Sequence, residues 1–155
     1  MTDAEFFSSW GIVFGRRRED LEIIGSPNRS AERFAAEDES GKLFIAEGFE
    51  LDRKHRQRAQ SDFLDFLSGK GFPASVWLRT SDGEAGINSM ARFWQVRRFE
   101  EADTLPRANL GKSGIHAEIW ADLLLRLKEI SQDPHLPPPP NPRFLFSGFL
   151  PRLKG

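Results

Sequence analysis

The sequence predicts an α+β domain built on a five-stranded antiparallel sheet, with one helix after the third strand and a second long helix after the fifth. Short apolar segments bounded by glycine, proline and asparagine alternate with two long segments whose apolar residues recur at helical spacing. The 155 residues suit one globular domain, which can bury about 68–70% of its unfolded surface. The chain has no cysteine, so disulfides and cysteine metal sites are excluded.

The first half of the chain predicts a short helix over 3–10 and three antiparallel strands. The segment LEIIGS at 21–26 is typical of a strand that ends in a turn, and KLFIAEGF at 42–49 has the clearest strand pattern in the chain. Residues 31–37 are ambiguous in period, but the polar cluster EDESG that follows them indicates a hairpin turn. The first three strands therefore lie within 21–49.

The second half predicts a helix over 52–69, strands at 75–80 and 91–99, and a helix over 112–131. In the first helix the apolar residues fall at i, i+4, i+7 and i+8, on one face. These residues are Ala59, Phe63, Phe66 and Leu67. The apolar stripe of the second helix comprises Ile115, Ile119, Leu123, Leu127 and Ile130, widened by Trp120 and Leu124. A stripe of that width predicts burial against two neighbours.

The composition changes after Pro134, where PHLPPPPNP at 134–142 holds six of the ten prolines and indicates polyproline II. We therefore divide the chain into a folded part, 1–133, and a proline-rich linker with an apolar tail, 134–155. The tail is too apolar for a free segment, so it either folds back on its own lobe or contacts another polypeptide, and we favour the second outcome. Its apolar residues are Phe144, Leu145, Phe146, Phe149, Leu150 and Leu153.

The charge pattern and the first residues exclude several classes of partner. The net charge of -1 gives no basic excess for nucleic acid. The opening MTDAEFFSSW is not a signal peptide, and no segment approaches the ~20 apolar residues of a membrane helix. Together with the absence of cysteine, these features predict a cytoplasmic protein with neither nucleic-acid nor membrane partners.

Five local patterns occur in a particular order: GSPNRS at 25–30, GKLFIA at 41–46, LSGKGFP at 67–73, FWQVRRFE at 93–100 and WADLLLRLK at 120–128. With the element order β-β-β-α-β-β, they resemble the amino-terminal lobe of the kinase-like fold. Within that fold the patterns resemble more closely those of the aminoglycoside phosphotransferases, homoserine kinases and choline kinases. The resemblance covers roughly residues 20–132 and implies a nucleotide-binding lobe of a small-molecule phosphotransferase, with ATP as its nucleotide.

The resemblance also implies which residues meet the nucleotide. The 25–30 turn corresponds to a G-x-x-N-x-x turn beside the phosphates, and the end of the fifth strand to the hinge beside the adenine. The residues implied are Asn28, Arg29, Ser30, Glu47, Arg98, Phe99 and Glu100. An ordinary hairpin turn and a charged strand edge are the alternative interpretations of the turn and of Arg98.

Two departures from the family pattern limit this interpretation. Glu47 stands where the family has a lysine that pairs the nucleotide phosphates, so we expect weak ATP binding at most. The family's catalytic loop begins H-x-D, whereas His55, His116 and His135 are followed by Arg-Gln, Ala-Glu and Leu-Pro. We therefore expect no catalytic residue and no metal ligand in this chain, and magnesium only where a second lobe supplies its ligands.

Three functions stay open on the sequence alone. The first is a partial or relict nucleotide-binding lobe whose apolar tail, 144–153, meets either a missing C-terminal lobe or a second copy of the chain. The second is a non-catalytic interaction module of the same fold. The third is an unrelated α+β domain that docks a partner through its proline-rich tail.

Overall fold

The computed structural model describes residues 1–23, 30–99, 114–138 and 140. Its elements are helix α1 (Asp3–Ser8), strands β1 (Phe14–Arg17), β2 (Glu32–Asp38) and β3 (Leu43–Phe49), a 3-10 turn (Leu51–Arg53), helix α2 (Lys54–Gly69), strands β4 (Ile87–Ser89) and β5 (Arg92–Arg98), and helix α3 (Gly114–Ser131). The five strands form one antiparallel sheet in the order β1-β2-β3-β5-β4. The predicted fold class is confirmed.

Strict alternation along β3 and β5 gives the sheet two differently covered faces. On the first, which we call the α1 face, Ala46 and Trp94 are fully buried in a cluster with Phe6 and Phe7 of α1. Helix α1 begins at Thr2, which forms a capping box with Glu5. The Phe6 and Trp94 rings meet edge to face, 5.4 Å apart, so α1 closes this side of the core.

The opposite face, which we call the α2 face, is covered by α2. The predicted helix face is confirmed at Phe63 and Leu67, which are both buried. A hydrogen bond joins helix α2 to the sheet: Gln95 Nε2 of β5 donates to Ser61 Oγ at 2.9 Å. The same nitrogen also donates to the Ala85 carbonyl at 3.3 Å. This side of the core therefore contains hydrogen-bonded polar side chains among apolar ones.

The first strand was expected at 21–26, but it lies earlier, at Phe14–Arg17. Residues 21–23 are outside any strand, and 24–26 lie outside the described residues. The arginine-rich segment forms β1 because the strand is at the sheet edge, where charged side chains keep contact with water. Phe14 stacks on Phe7 of α1 at 5.5 Å and thereby fixes the strand.

The fourth strand was expected at 75–80, but that segment belongs to no strand. Leu78 donates one backbone hydrogen bond to the Val96 carbonyl at 2.7 Å, and the chain then turns through a Thr80 N–H bond to the Glu84 carbonyl. The strand that pairs with β5 is instead β4, at Ile87–Ser89.

Helix α3 forms at the predicted position, but the prediction that its stripe is buried on two sides is wrong. No side chain described in α3 is buried. Ile119, Trp120 and Leu125 are 53%, 49% and 62% exposed. The turn after α3 is tied to the end of α2 by Lys70 Nζ, 2.9 Å from Asp133 Oδ2. The apolar tail lies outside the described residues, and none of the described helices is long and apolar enough to cross a membrane.

Candidate functional site

Glu47 lies at the centre of the sheet with its side chain fully buried on the α2 face. It stands in the most apolar strand of the chain, where the neighbours in sequence pack into the core. Ser30 donates a hydrogen bond from Oγ to Glu47 Oε1 at 3.4 Å. A carboxylate is removed from water at this position only with a compensating charge nearby.

That charge is Arg97 of β5. Its Nε lies 3.6 Å from Glu47 Oε2, and its side chain is 17% exposed. The guanidinium also lies over the Trp77 ring, 5.9 Å from its centroid. Among the described residues, neither Glu47 Oε2 nor Arg97 Nε has a hydrogen-bond partner. The two groups therefore interact through charge without a hydrogen bond between these two atoms, and Ser30 supplies the hydrogen bond to the other carboxylate oxygen.

The structure brings together some of the residues that the sequence implied and separates others. Ser30 and Glu47 are in contact, so the end of the predicted phosphate turn reaches the buried carboxylate. Arg98 pairs in register with Phe44, which places it on the α1 face, opposite Glu47. Phe99 follows β5 and donates its N–H to the Leu43 carbonyl at 3.0 Å. The predicted site residues Asn28, Arg29 and Glu100 lie outside the described residues.

Arg97 was not among the predicted site residues, although the sequence carried a signal for it. Side chains alternate along a strand, so residues 93, 95 and 97 share one face and Arg98 points to the other. The register pairs Glu47 with Gln95 and Ile45 with Arg97, which puts the arginine diagonally beside the carboxylate. The sequence-based prediction selected Arg98, the arginine nearer the hinge, and did not apply this alternation of side chains along the strand.

Chemically, the site offers a cation, a carboxylate and a hydroxyl at one end of the α2 face. The guanidinium can bind an anion by charge and by directed N–H donors. Among the described residues, no group of three acidic or histidine side chains is placed to hold a metal ion. Arg97 is therefore the group of this site that can attract an anion, and Glu47 offsets its charge.

Among solved structures, the chain is similar to an aminoglycoside phosphotransferase from Alicyclobacillus acidocaldarius, with a TM-score of 0.58 and 15% sequence identity. The chain has a kinase-like fold. The match covers 87% of this chain and 36% of that one, so the chain spans about a third of the length of the enzyme that it resembles. The resemblance seen in the sequence is thus confirmed at the level of the fold.

A second solved structure is the amicoumacin kinase hAmiN in complex with AMP-PNP, Ca2+ and Ami, with a TM-score of 0.48 and 13% identity. That match covers 71% of this chain and 34% of the kinase. No protein-family model matches the sequence, and no curated protein matches it in sequence.

Proposed function

We propose that the chain is the nucleotide-binding lobe of a small-molecule phosphotransferase of the aminoglycoside phosphotransferase type, and that it binds ATP weakly. The observation that carries the proposal is Arg97, a largely buried guanidinium on the α2 face. In this fold it supplies the positive charge that the lysine of the third strand supplies in the family. Ser30 links this charge pair to the glycine-containing turn that the sequence assigns to the phosphates.

Glu47 explains why the binding is weak. Its carboxylate lies 3.6 Å from the Arg97 Nε and offsets the charge that attracts the phosphates. A triphosphate that approaches Arg97 also approaches this carboxylate. Glu47 therefore limits the affinity for ATP, whereas Arg97 provides it.

The test is a calorimetric titration of the 155-residue chain with ATP, in the wild type and in Arg97→Gln. We expect a wild-type Kd on the order of 1 mM and a roughly tenfold weaker Kd in Arg97→Gln, since a tenfold loss is about 1.4 kcal/mol. Arg92→Gln is the matched control, because Arg92 lies on the same strand in a surface ion pair with Glu50. Loss of affinity in Arg98→Gln, with Arg97→Gln unchanged, would move the nucleotide to the α1 face and contradict the proposal.

For Glu47→Lys we predict the opposite result, a higher affinity for ATP, because a cation replaces the carboxylate that repels the phosphates. The new charge also faces Arg97, so circular dichroism must first show that the sheet is intact. Glu47→Gln keeps the size of the side chain and removes only its charge, which makes it the milder variant. An unchanged or lower affinity in a folded Glu47→Gln protein would count against placing this carboxylate beside the phosphates.

Phosphoryl transfer is not expected from the 155 residues alone. Transfer requires bound metal ions and an aspartate at the acceptor hydroxyl, and the sequence holds no H-x-D loop to provide them. The measurement is ATP turnover by purified protein. Turnover that a point mutation in this chain abolishes would refute the prediction.

A second candidate function is a non-catalytic interaction module of the same fold. The observation that favours it is the exposed apolar surface of α3 at Ile119, Trp120 and Leu125. Three large apolar side chains exposed along one helix favour a protein-protein contact. The ATP titration separates the two functions, because a module without a nucleotide site shows no binding that depends on Arg97.

A further inference from the structure

The α1 face carries a pair of adjoining cavities that the proposed nucleotide site does not use. One has a volume of about 380 Å³ and lies between the end of α1, the β2–β3 turn and Leu78. The other, of about 330 Å³, is lined by residues 74–76. Leu78 and Arg98 line both cavities, so the arginine stands between them. Each volume is in the range of small-molecule sites.

Apolar and aromatic side chains form one part of the lining of the larger cavity, beside polar and charged ones. They include Trp10, Ile12, Phe44 and Leu78, which belong to the core cluster of this face or pack against it. Trp10 is 8% exposed, and its Nε1–H has no hydrogen-bond partner among the described residues. A buried hydrogen-bond donor without a partner is uncommon in folded proteins. The Trp10 Nε1–H therefore favours a hydrogen-bond acceptor on a bound ligand.

Two exposed cations line the cavity. Lys42 and Arg98 form no ion pair with any side chain that the structure describes. Arg79 also lines the cavity, but Asp62 and Asp65 hold its guanidinium at 2.9 and 2.6 Å. The pKa of Asp38 is lowered chiefly by its hydrogen bond from Ser40, and the charge of the neighbouring Lys42 helps to lower it, so Arg98 is the cation of the lining that no described carboxylate offsets.

Two carboxylates, Asp38 and Glu39, also line the cavity and offset part of the positive charge. Asp38 Oδ1 accepts hydrogen bonds from Ser40 N, Ser40 Oγ and Lys42 N at 2.9, 2.7 and 2.8 Å. These hydrogen bonds hold the carboxylate within the β2–β3 turn. Glu39 is exposed at the rim, where water and salt screen its charge. Lys42 and Arg98 are exposed as well, and Lys42 lies beside Asp38, so an anion in the cavity is attracted chiefly by Arg98.

We propose that this cavity is a second ligand site, which binds a small carboxylate with an apolar or aromatic body. The carboxylate lies at Arg98 and Lys42, and the body packs on Trp10, Phe44 and Leu78. Because Arg98 and Glu47 are on opposite faces of the sheet, this site is separate from the proposed nucleotide site.

The experiment is an NMR titration of the full chain with benzoate, which follows the indole N–H signals of the four tryptophans. Trp10→Phe assigns the Trp10 signal by its disappearance. We expect a saturable shift of that signal with a Kd on the order of 1 mM. Benzyl alcohol has a similar ring without the charge and should bind roughly tenfold more weakly.

Arg98→Gln should weaken benzoate binding roughly tenfold, the effect of about 1.4 kcal/mol. Arg92→Gln is the control, since Arg92 lies on the same strand and face but beside Glu50 rather than at the cavity. Three outcomes would overturn the proposal: a Trp10 signal that does not move, equal shifts with benzoate and benzyl alcohol, or equal affinities in the wild type and Arg98→Gln. None of them depends on whether the protein binds ATP.

Discussion

Removing either charge of the Glu47–Arg97 pair tests whether the sheet depends on it. Glu47→Gln leaves the guanidinium without its carboxylate, and Arg97→Met leaves a fully buried carboxylate without its cation. Both substitutions keep the side chains near their original volume, so the effect is chiefly electrostatic. The pair spans β3 and β5, the two central strands, which makes it a local test of the core.

The expected magnitudes follow from distance and burial. At 3.6 Å and an effective dielectric constant of about 20, the Coulomb attraction is about 4–5 kcal/mol before desolvation is counted. Breaking a buried pair costs about 3–5 kcal/mol because one charge remains unpaired. Arg97→Met should fall in that range, since Glu47 has no exposed surface. Glu47→Gln should cost about 2–3 kcal/mol, because Arg97 is 17% exposed and keeps part of its hydration.

The assay is urea unfolding of the wild type, the two single variants and the double variant. We expect the double variant to be more stable than the sum of the single effects predicts, with a coupling energy of about 1–3 kcal/mol. The surface pair Arg92–Glu50 is the matched control, because its partners are 27% and 61% exposed, and its coupling should stay at about 0.2–1 kcal/mol. Additivity of the Glu47 and Arg97 effects within about 0.5 kcal/mol would refute the reasoning.

Two further predictions concern stability. Gly86→Ala should cost about 1–3 kcal/mol in urea unfolding, since its Cβ would lie 2.2 Å from the Trp94 carbonyl oxygen. Gly69→Ala, whose Cβ meets no described atom within 4 Å, should be neutral or stabilising, and equal losses would contradict the steric argument. The pKa of Asp133 is lowered to about 2, chiefly by a hydrogen bond from Lys70. Its stabilising effect is therefore complete above the unfolded pKa of about 3.9 and lost as the pH falls from about 4 to about 2. NMR titration should show this pKa rising in Lys70→Gln, and no rise would refute the assignment.

The sequence predicted the elements whose pattern is set locally and missed those that depend on distant contacts. Helix α2 and strand β3 were predicted well, because one has a clear helical period and the other a continuous apolar run. Strand β1 was missed because its arginines suit a solvated face equally well, and only Phe14 against α1 fixes it. Arg97 and Arg98 point to opposite faces of the sheet, and the face that each one takes becomes certain only when the strand register is known.

The apolar tail at 144–153 leads to the last prediction. Helix α3 has 18 residues and is therefore about 27 Å long. The prediction of polyproline II over all of 134–142 is wrong at its start, because the Leu136 N–H donates to the Asp133 carbonyl at 3.1 Å and closes a turn there. Six residues at 137–142 in polyproline II would span about 19 Å, enough to carry the tail along most of that length. Each buried side chain of the tail would contribute about 1.5–3 kcal/mol, and the exposed Trp120 shows that α3 has apolar surface to offer. We expect the tail to contact another chain, so that the full protein sediments as a larger species than a version ending at Asp133. If both proteins are monomers of equal solubility and thermal stability, the tail is neither an interface nor part of the core.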